Sequence, residues 1–169
     1  MDNTSLPLKI LVALDDSESS HQALLQALKL INLQAAIIVL LSVEEPVMMP
    51  VTSDISSPDV FKADVTSNWG EQAAAIKLQE QKIRSAIQWA EHLCEQAGVR
   101  YVTRTEFGEP KHVICEVAQQ ENPDLMVIGS HGYGLVERVL IGSVSEYVVH
   151  HAQCPVLVVR QLTMLNDTR

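Results

Sequence analysis

Apolar positions in this chain follow two rhythms in turn. Leu8–Leu14 (LKILVAL) is a nearly unbroken apolar run whose length suits a strand covered on both faces. Asp15, Asp16 and Ser17 follow, each a residue type that caps a helix N-terminus. Leu24, Ala27, Leu28 and Ile31 then recur at helical spacing, and residues 35–43 (AAIIVLLSV) form a second buried-strand run. From 44 to 68 the pattern breaks: Pro46, Pro50 and Pro58 stand among Ser and Asp with no period. A loop of that length is either mobile or functional. Residues 69–97 predict a long amphipathic helix, with Ile76, Ile83, Ile87, Ala90 and Cys94 on one stripe and Gly98 at its stop. A strand is expected over 99–106, then a turn at Gly108 and a helix with Pro110 in its first turn. Val113, Ile114, Val117 and Ala118 give that helix its apolar face, and Asn122-Pro123 ends it. Residues 125–128 (LMVI) are a further strand, Ser143–His151 a short helix, and Val156–Val159 the last strand, set off by Cys154-Pro155.

The order β-α-β-α-β-α-β-α-β predicts an α/β fold: one open, doubly wound parallel sheet of five strands with helices on both faces. One domain is expected, with its core over residues 8–160. Ligands of such sheets bind at the carboxyl ends of the strands, near the point where strand order reverses. That places a site where Leu14, Val43 and Ile128 end, before any motif is invoked.

Composition sharpens the picture at one point. Of 169 residues only 7 are glycine, where average usage of about 7% would give roughly 12. Gly129, Gly132, Gly134 and Gly142 share one stretch, while Gly70, Gly98 and Gly108 stand alone at expected element ends. Aromatics are 4% of the chain, so the core is aliphatic. The formal net charge of −9 and the scattered Lys and Arg offer no basic stripe for nucleic acid or an acidic membrane surface. No apolar run reaches the roughly 18 residues of a membrane span. Residues 1–7 lack a basic segment followed by an apolar one, so no signal peptide is expected. Cys94, Cys115 and Cys154 are far apart and form no CxxC pair. They read as buried free thiols of a reducing compartment, which sets a cytoplasmic location as the expectation.

The glycine cluster has a definite spacing. Gly129-Ser130-His131-Gly132 follows the LMVI strand, nine residues (133–141) intervene, and Gly142-Ser143 opens the next helix. Gly129 and Gly132 allow the backbone to turn tightly and approach a ligand closely. The helix opened by Gly142-Ser143 presents free N–H groups and a positive dipole end, which favour a phosphate. Commoner phosphate motifs are missing. There is no G-x-x-x-x-G-K-[ST], and Asp15-Asp16-Ser17 stands where a dinucleotide domain would carry G-x-G-x-x-G.

The pattern G-2x-G-9x-G-[ST] resembles that of nucleotide-binding universal stress proteins. GSHGYGLVERVLIGSVSEYVVHHAQCPVLVV resembles the family's C-terminal signature, KILVALDDSESSHQAL its first strand and turn, and LLSVEEP its second strand. The resemblance implies a Rossmann-like fold of the adenine nucleotide alpha hydrolase type. It implies that Asp15 and the backbone of Val43 hold an adenine and that Ala13 and Ile128 line the nucleoside pocket. It assigns Gly129 and Gly132 to ribose and phosphate, and Gly142, Ser143 and Val144 to the phosphates. ATP, ADP or AMP is the implied ligand, with Mg²⁺ or Mn²⁺ held mainly by phosphate oxygens and water. A homodimer paired through Val156–Val159 is the implied assembly. One departure is plain: the family often has Asp-Gly-Ser after the first strand, and here it is Asp15-Asp16-Ser17. A second carboxylate facing the phosphates would repel them.

Other residues were candidates for chemistry. His131 either contacts a phosphate, senses pH, or faces solvent as a loop histidine ordinarily does. Arg138 either reaches the phosphates or is a solvated charge. His112 and Cys115 stand three apart on a helix and meet on one face, but two ligands do not make a zinc site. His150 and His151 are adjacent and point to different faces. No catalytic residue and no protein-held metal is expected. The leading expectation is a regulatory stress-response protein whose loops or dimer respond to nucleotide. A slow ATPase or adenylate-processing enzyme, or a protein-interaction module with structural nucleotide, is the alternative.

Overall fold

The computed structural model describes residues 6–30, 35–46, 64–130 and 141–160, with the backbone alone over 64–72. Five strands, β1 (Leu8–Leu14), β2 (Ala36–Glu44), β3 (Arg100–Phe107), β4 (Leu125–Gly129) and β5 (Val156–Val159), alternate with four helices. The helices are α1 (Glu18–Leu30), α2 (Asp64–Ala97), α3 (Pro110–Glu121) and α4 (Ser143–His151). The sheet order is β3-β2-β1-β4-β5, and every pair is parallel. Order reverses between β1 and β4, where the chain leaves the β3-β2-β1 half and starts the other. The parallel, doubly wound sheet expected from the apolar runs is the one observed.

β1 shows why such runs make this architecture. Ile10, Val12 and Leu14 enter a core with Ala23, Leu24, Ala27, Ala90 and Cys94 from α1 and α2. Leu11 and Ala13 enter a second core with Ile114, Val117, Ala118 and Val148 from α3 and α4. Successive side chains point to opposite faces, so a strand covered on both sides must be apolar throughout. Ile10, Leu11 and Val12 are fully buried, and each such side chain contributes about 1.5–3 kcal/mol.

Two boundaries differ from expectation. The long helix begins at Asp64 and not at 69, and Gly70 therefore lies inside it. Extending a helix that already exists needs no new nucleus, and polar residues and one glycine at its free end cost tenths to about 1 kcal/mol each. An acidic residue also suits the positive dipole end. Residues 47–63 of the expected loop lie outside the described residues. β4 also runs one residue further, through Gly129, so this glycine belongs to a strand and not to a turn. The other end of α2 closes as anticipated. Gly98 takes φ +66°, its N–H bonds the Glu95 carbonyl at 3.0 Å, and Val99 N–H bonds the Cys94 carbonyl at 3.1 Å. This left-handed turn is one that glycine adopts without strain.

Candidate functional site

The turn after β1 is built from its own hydroxyls and carboxylate. Ser17 caps α1: its Oγ accepts the Ser20 N–H at 3.2 Å. Asp15 Oδ1 accepts the Ser17 N–H at 3.0 Å and the Ser17 hydroxyl as well. Ser20 Oγ donates back to the Asp15 carbonyl at 2.7 Å and accepts the Asp15 N–H at 3.3 Å. These bonds hold the Asp15 carboxylate by one oxygen at the carboxyl end of β1.

A second built turn lies at the carboxyl end of β4. Ser130 N–H bonds the Val159 carbonyl at 2.8 Å, and the Ser130 carbonyl accepts the Gly142 N–H at 2.6 Å. Ser145 Oγ, buried behind them, donates to the carbonyls of Ser130 at 3.1 Å and Gly142 at 3.0 Å. The chain therefore leaves the sheet at Ser130 and returns to it at Gly142. Gly142 is the N-cap of α4 with no side-chain cap bond, at φ −76° and ψ 160°. That is ordinary extended backbone, so its conformation does not demand glycine. Gly129 is different. A Cβ there would lie 2.5 Å from Ser19 Oγ and 2.6 Å from the Ser19 backbone carbon. The close approach expected at this glycine is thus to the first turn of α1 within the protein itself.

Between these turns lies a crevice of about 740 Å³. Ala13, Asp15, Val43, Ile128, Gly129, Gly142, Ser143 and Val144, eight of the nine residues expected at a site, all line it. The ninth, Gly132, lies outside the described residues, as do His131, Gly134 and Arg138. Leu41, Ile114 and Ile128 form an apolar wall, and Ser19, Ser20 and Ser42 add hydroxyls. Every buried polar residue among those described is a serine at this edge of the sheet: Ser19, Ser20, Ser42, Ser130 and Ser145.

Sequence reasoning missed the crevice's α2 side. Ala75, Leu78, Gln79, Lys82 and Ile83 line it, at spacings that put them on one helical face. Only that spacing could have signalled them. Ser42 could have been found as a hydroxyl inside an otherwise apolar run. Among the described lining residues, Asp15, Asp16 and Glu45 are negative and Lys82 alone is positive. Lys82 Nζ stands 3.4 Å from Asp16 Oδ2, so the second carboxylate of the turn faces an ammonium.

The remaining candidates sit elsewhere. His112 Nδ1 pairs with Glu109 Oε2 at 3.0 Å, and its ring meets Tyr147 edge-on. His151 stacks on Tyr147 at 3.8 Å and donates from Nδ1 to the Tyr147 carbonyl at 2.8 Å. Among the described residues no three His, Cys, Asp or Glu side chains are placed to hold a metal ion. No described helix is long and apolar enough to cross a membrane.

A sequence profile of the Universal stress protein family matches residues 8–160. The chain belongs to the universal stress protein family. A universal stress protein of Synechocystis is 33% identical over 156 residues, covering 90% of this chain and 97% of that protein. A universal stress protein A-like protein of Arabidopsis thaliana is 31% identical over 119 residues, 70% of this chain. The match spans 62% of that protein's length, under two thirds. Among solved structures, the universal stress protein UspA from Lactobacillus plantarum superposes with a TM-score of 0.71 at 24% identity. It covers 93% of this chain and 100% of its own. An Arabidopsis thaliana family protein with AMP bound gives 0.60 at 24% identity, covering 92% of each chain. At these identities the structures establish the shared universal stress protein fold.

Proposed function

We propose that this universal stress protein binds an adenine nucleotide in the crevice between the β1–α1 turn and the Ser130–Gly142 closure. The observation that carries this reading is the convergence of eight of the nine expected site residues, from four separate stretches of the chain, on one crevice. Its size falls within the roughly 300–1,000 Å³ of small-molecule sites. The base lies against Ala13, Ile128 and Leu41, with Asp15 and the Val43 backbone as polar partners. Phosphates meet the open N-terminus of α4 at Gly142, Ser143 and Val144, where uncapped N–H groups favour an anion. Gly132 belongs to the same phosphate contact. Triphosphate brings Mg²⁺ or Mn²⁺, carried by phosphate oxygens and water. The AMP bound to the Arabidopsis relative supports this ligand class. The protein acts as a cytoplasmic regulatory homodimer, paired through β5, whose dimer responds to nucleotide.

Titration calorimetry with adenosine, AMP and Mg-ATP tests the reading. Micromolar binding is expected, with Gly142→Val weakening both nucleotides at least tenfold at a temperature where both proteins are fully folded. Equal affinity in wild type and variant, or binding of none of the three, overturns it.

A further inference from the structure

We propose that Lys82 of α2, held ready by Asp16, is the residue through which this crevice reads the phosphate charge of its ligand. The inference rests on the nucleotide reading above and deepens it.

Three observations carry it. Lys82 is the one positive charge among the described residues lining the crevice, opposite three carboxylates. Its ammonium stands 3.4 Å from Asp16 Oδ2, and the two side chains keep 47% and 21% of their exposure. That separation exceeds the 2.7–3.2 Å of a close N–H···O bond, and a loose, wet pair is worth little. Finally, Asp16 lies three residues before Ser19, whose backbone leaves no room for a Cβ on Gly129 of the motif. Lys82, Asp16 and the α4 N-terminal residues Gly142, Ser143 and Val144 line the same crevice. An ammonium near such an anion gains more from a phosphate of two or more charges than from one carboxylate. On binding, Lys82 exchanges the Asp16 carboxylate for a phosphate oxygen. Asp16 helps to keep Lys82 over the crevice when it is empty, and its charge adds to what a ligand's charge must exceed. An uncharged nucleoside receives nothing from the exchange.

The test measures adenosine, AMP and ATP affinities by calorimetry for wild type, Lys82→Met, Lys82→Arg and Asp16→Asn, with melting temperatures recorded for each. Lys82→Met is expected to weaken ATP about tenfold and AMP less, leaving adenosine within twofold. The ATP loss shrinks in high salt, and Lys82→Arg recovers most of it. Asp16→Asn tightens ATP several-fold and leaves adenosine unchanged. An unaltered ATP-to-adenosine ratio in Lys82→Met overturns the assignment while leaving nucleotide binding intact. Equal weakening of adenosine and ATP overturns it too, since Lys82 then only seats α2. If wild type binds none of the three ligands, the nucleotide reading itself fails.

Discussion

Gly129 and Cys94 show how one residue's surroundings decide what it does. Gly129 admits no Cβ, because Ser19 Oγ and backbone would stand 2.5–2.8 Å from it. Gly129→Ala must push the first turn of α1 off the end of β4, and overpacking of this kind costs about 1–3 kcal/mol. A drop of several degrees in melting temperature is expected, together with weaker nucleotide binding because Asp15 and Ser17 move with α1. A variant as stable as wild type would show that α1 yields at no cost. The motif spacing pointed to this glycine, but its reason was illegible in the sequence, since nothing there places Ser19 against β4. Cys94 is the converse case: free, fully buried in the α2 core, and legible as such. Burial first, then the charges of Glu91 and Glu95, push its thiol up to about 11. At pH 8 only about one molecule in a thousand carries the reactive thiolate there. A thiol reagent should label Cys94 only after denaturant is added. Labelling in the native protein at the rate of an exposed thiol would contradict that.

At the scale of elements, β1, β2 and β4 were readable because burial on both faces makes each of them an apolar run, and the edge strand β3 because its exposure alternates. Starts and pairings of polar elements were not. The N-terminal extension of α2 to Asp64 carries no apolar period, and the Lys82–Asp16 contact joins residues that no local spacing relates. The same holds for the charges tying β1, β3 and α3 together. Arg104 Nη1 meets Glu121 Oε1 at 2.7 Å and Lys9 Nζ meets Glu121 Oε2 at 3.2 Å, while Arg104 also bonds Glu106. The Arg104 hydrogen bond, joined by that from Lys9 and opposed by partial burial, holds the Glu121 carboxyl below its ordinary 4.5. A depressed carboxylate stabilises the fold above its unfolded value and loses that contribution as pH falls through the folded one. Glu121→Gln should therefore cost up to about 1 kcal/mol at pH 7, the scale of partly exposed pairs. Denaturant melts at several pH values should show this gap closing below the ordinary 4.5. A gap that persists into acid would mean the glutamate acts by packing and not by charge.

For the whole molecule, the consequential feature is the edge of the sheet. β5 pairs with β4 on one side only among the described residues. The Pro155 and Val159 carbonyls accept from Met126 and Ser130, so alternate residues face β4 and the backbone of Val156 and Val158 faces outward. An apolar VLVV edge whose outward backbone groups meet no other strand among the described residues invites a second strand, and two copies related by a two-fold axis would supply one to each other. The same strand reaches the nucleotide edge, because the Val159 carbonyl holds Ser130, from which the motif loop departs and to which Gly142 returns. The β5 edge and the crevice are thus joined by two backbone hydrogen bonds. If nucleotide tightens the dimer, dimerisation must tighten nucleotide at each of the two equivalent sites by the square root of that factor. Val158→Pro removes an outward donor while sparing the bonds to β4. Sedimentation equilibrium should find wild type dimeric at micromolar concentration and Val158→Pro monomeric, with ATP strengthening only the wild-type dimer. Calorimetry on the monomeric variant should then show ATP weakened by the square root of the factor that ATP gave the dimer. A monomeric variant with wild-type ATP affinity would separate the two sites and leave β5 as an interface without a regulatory role.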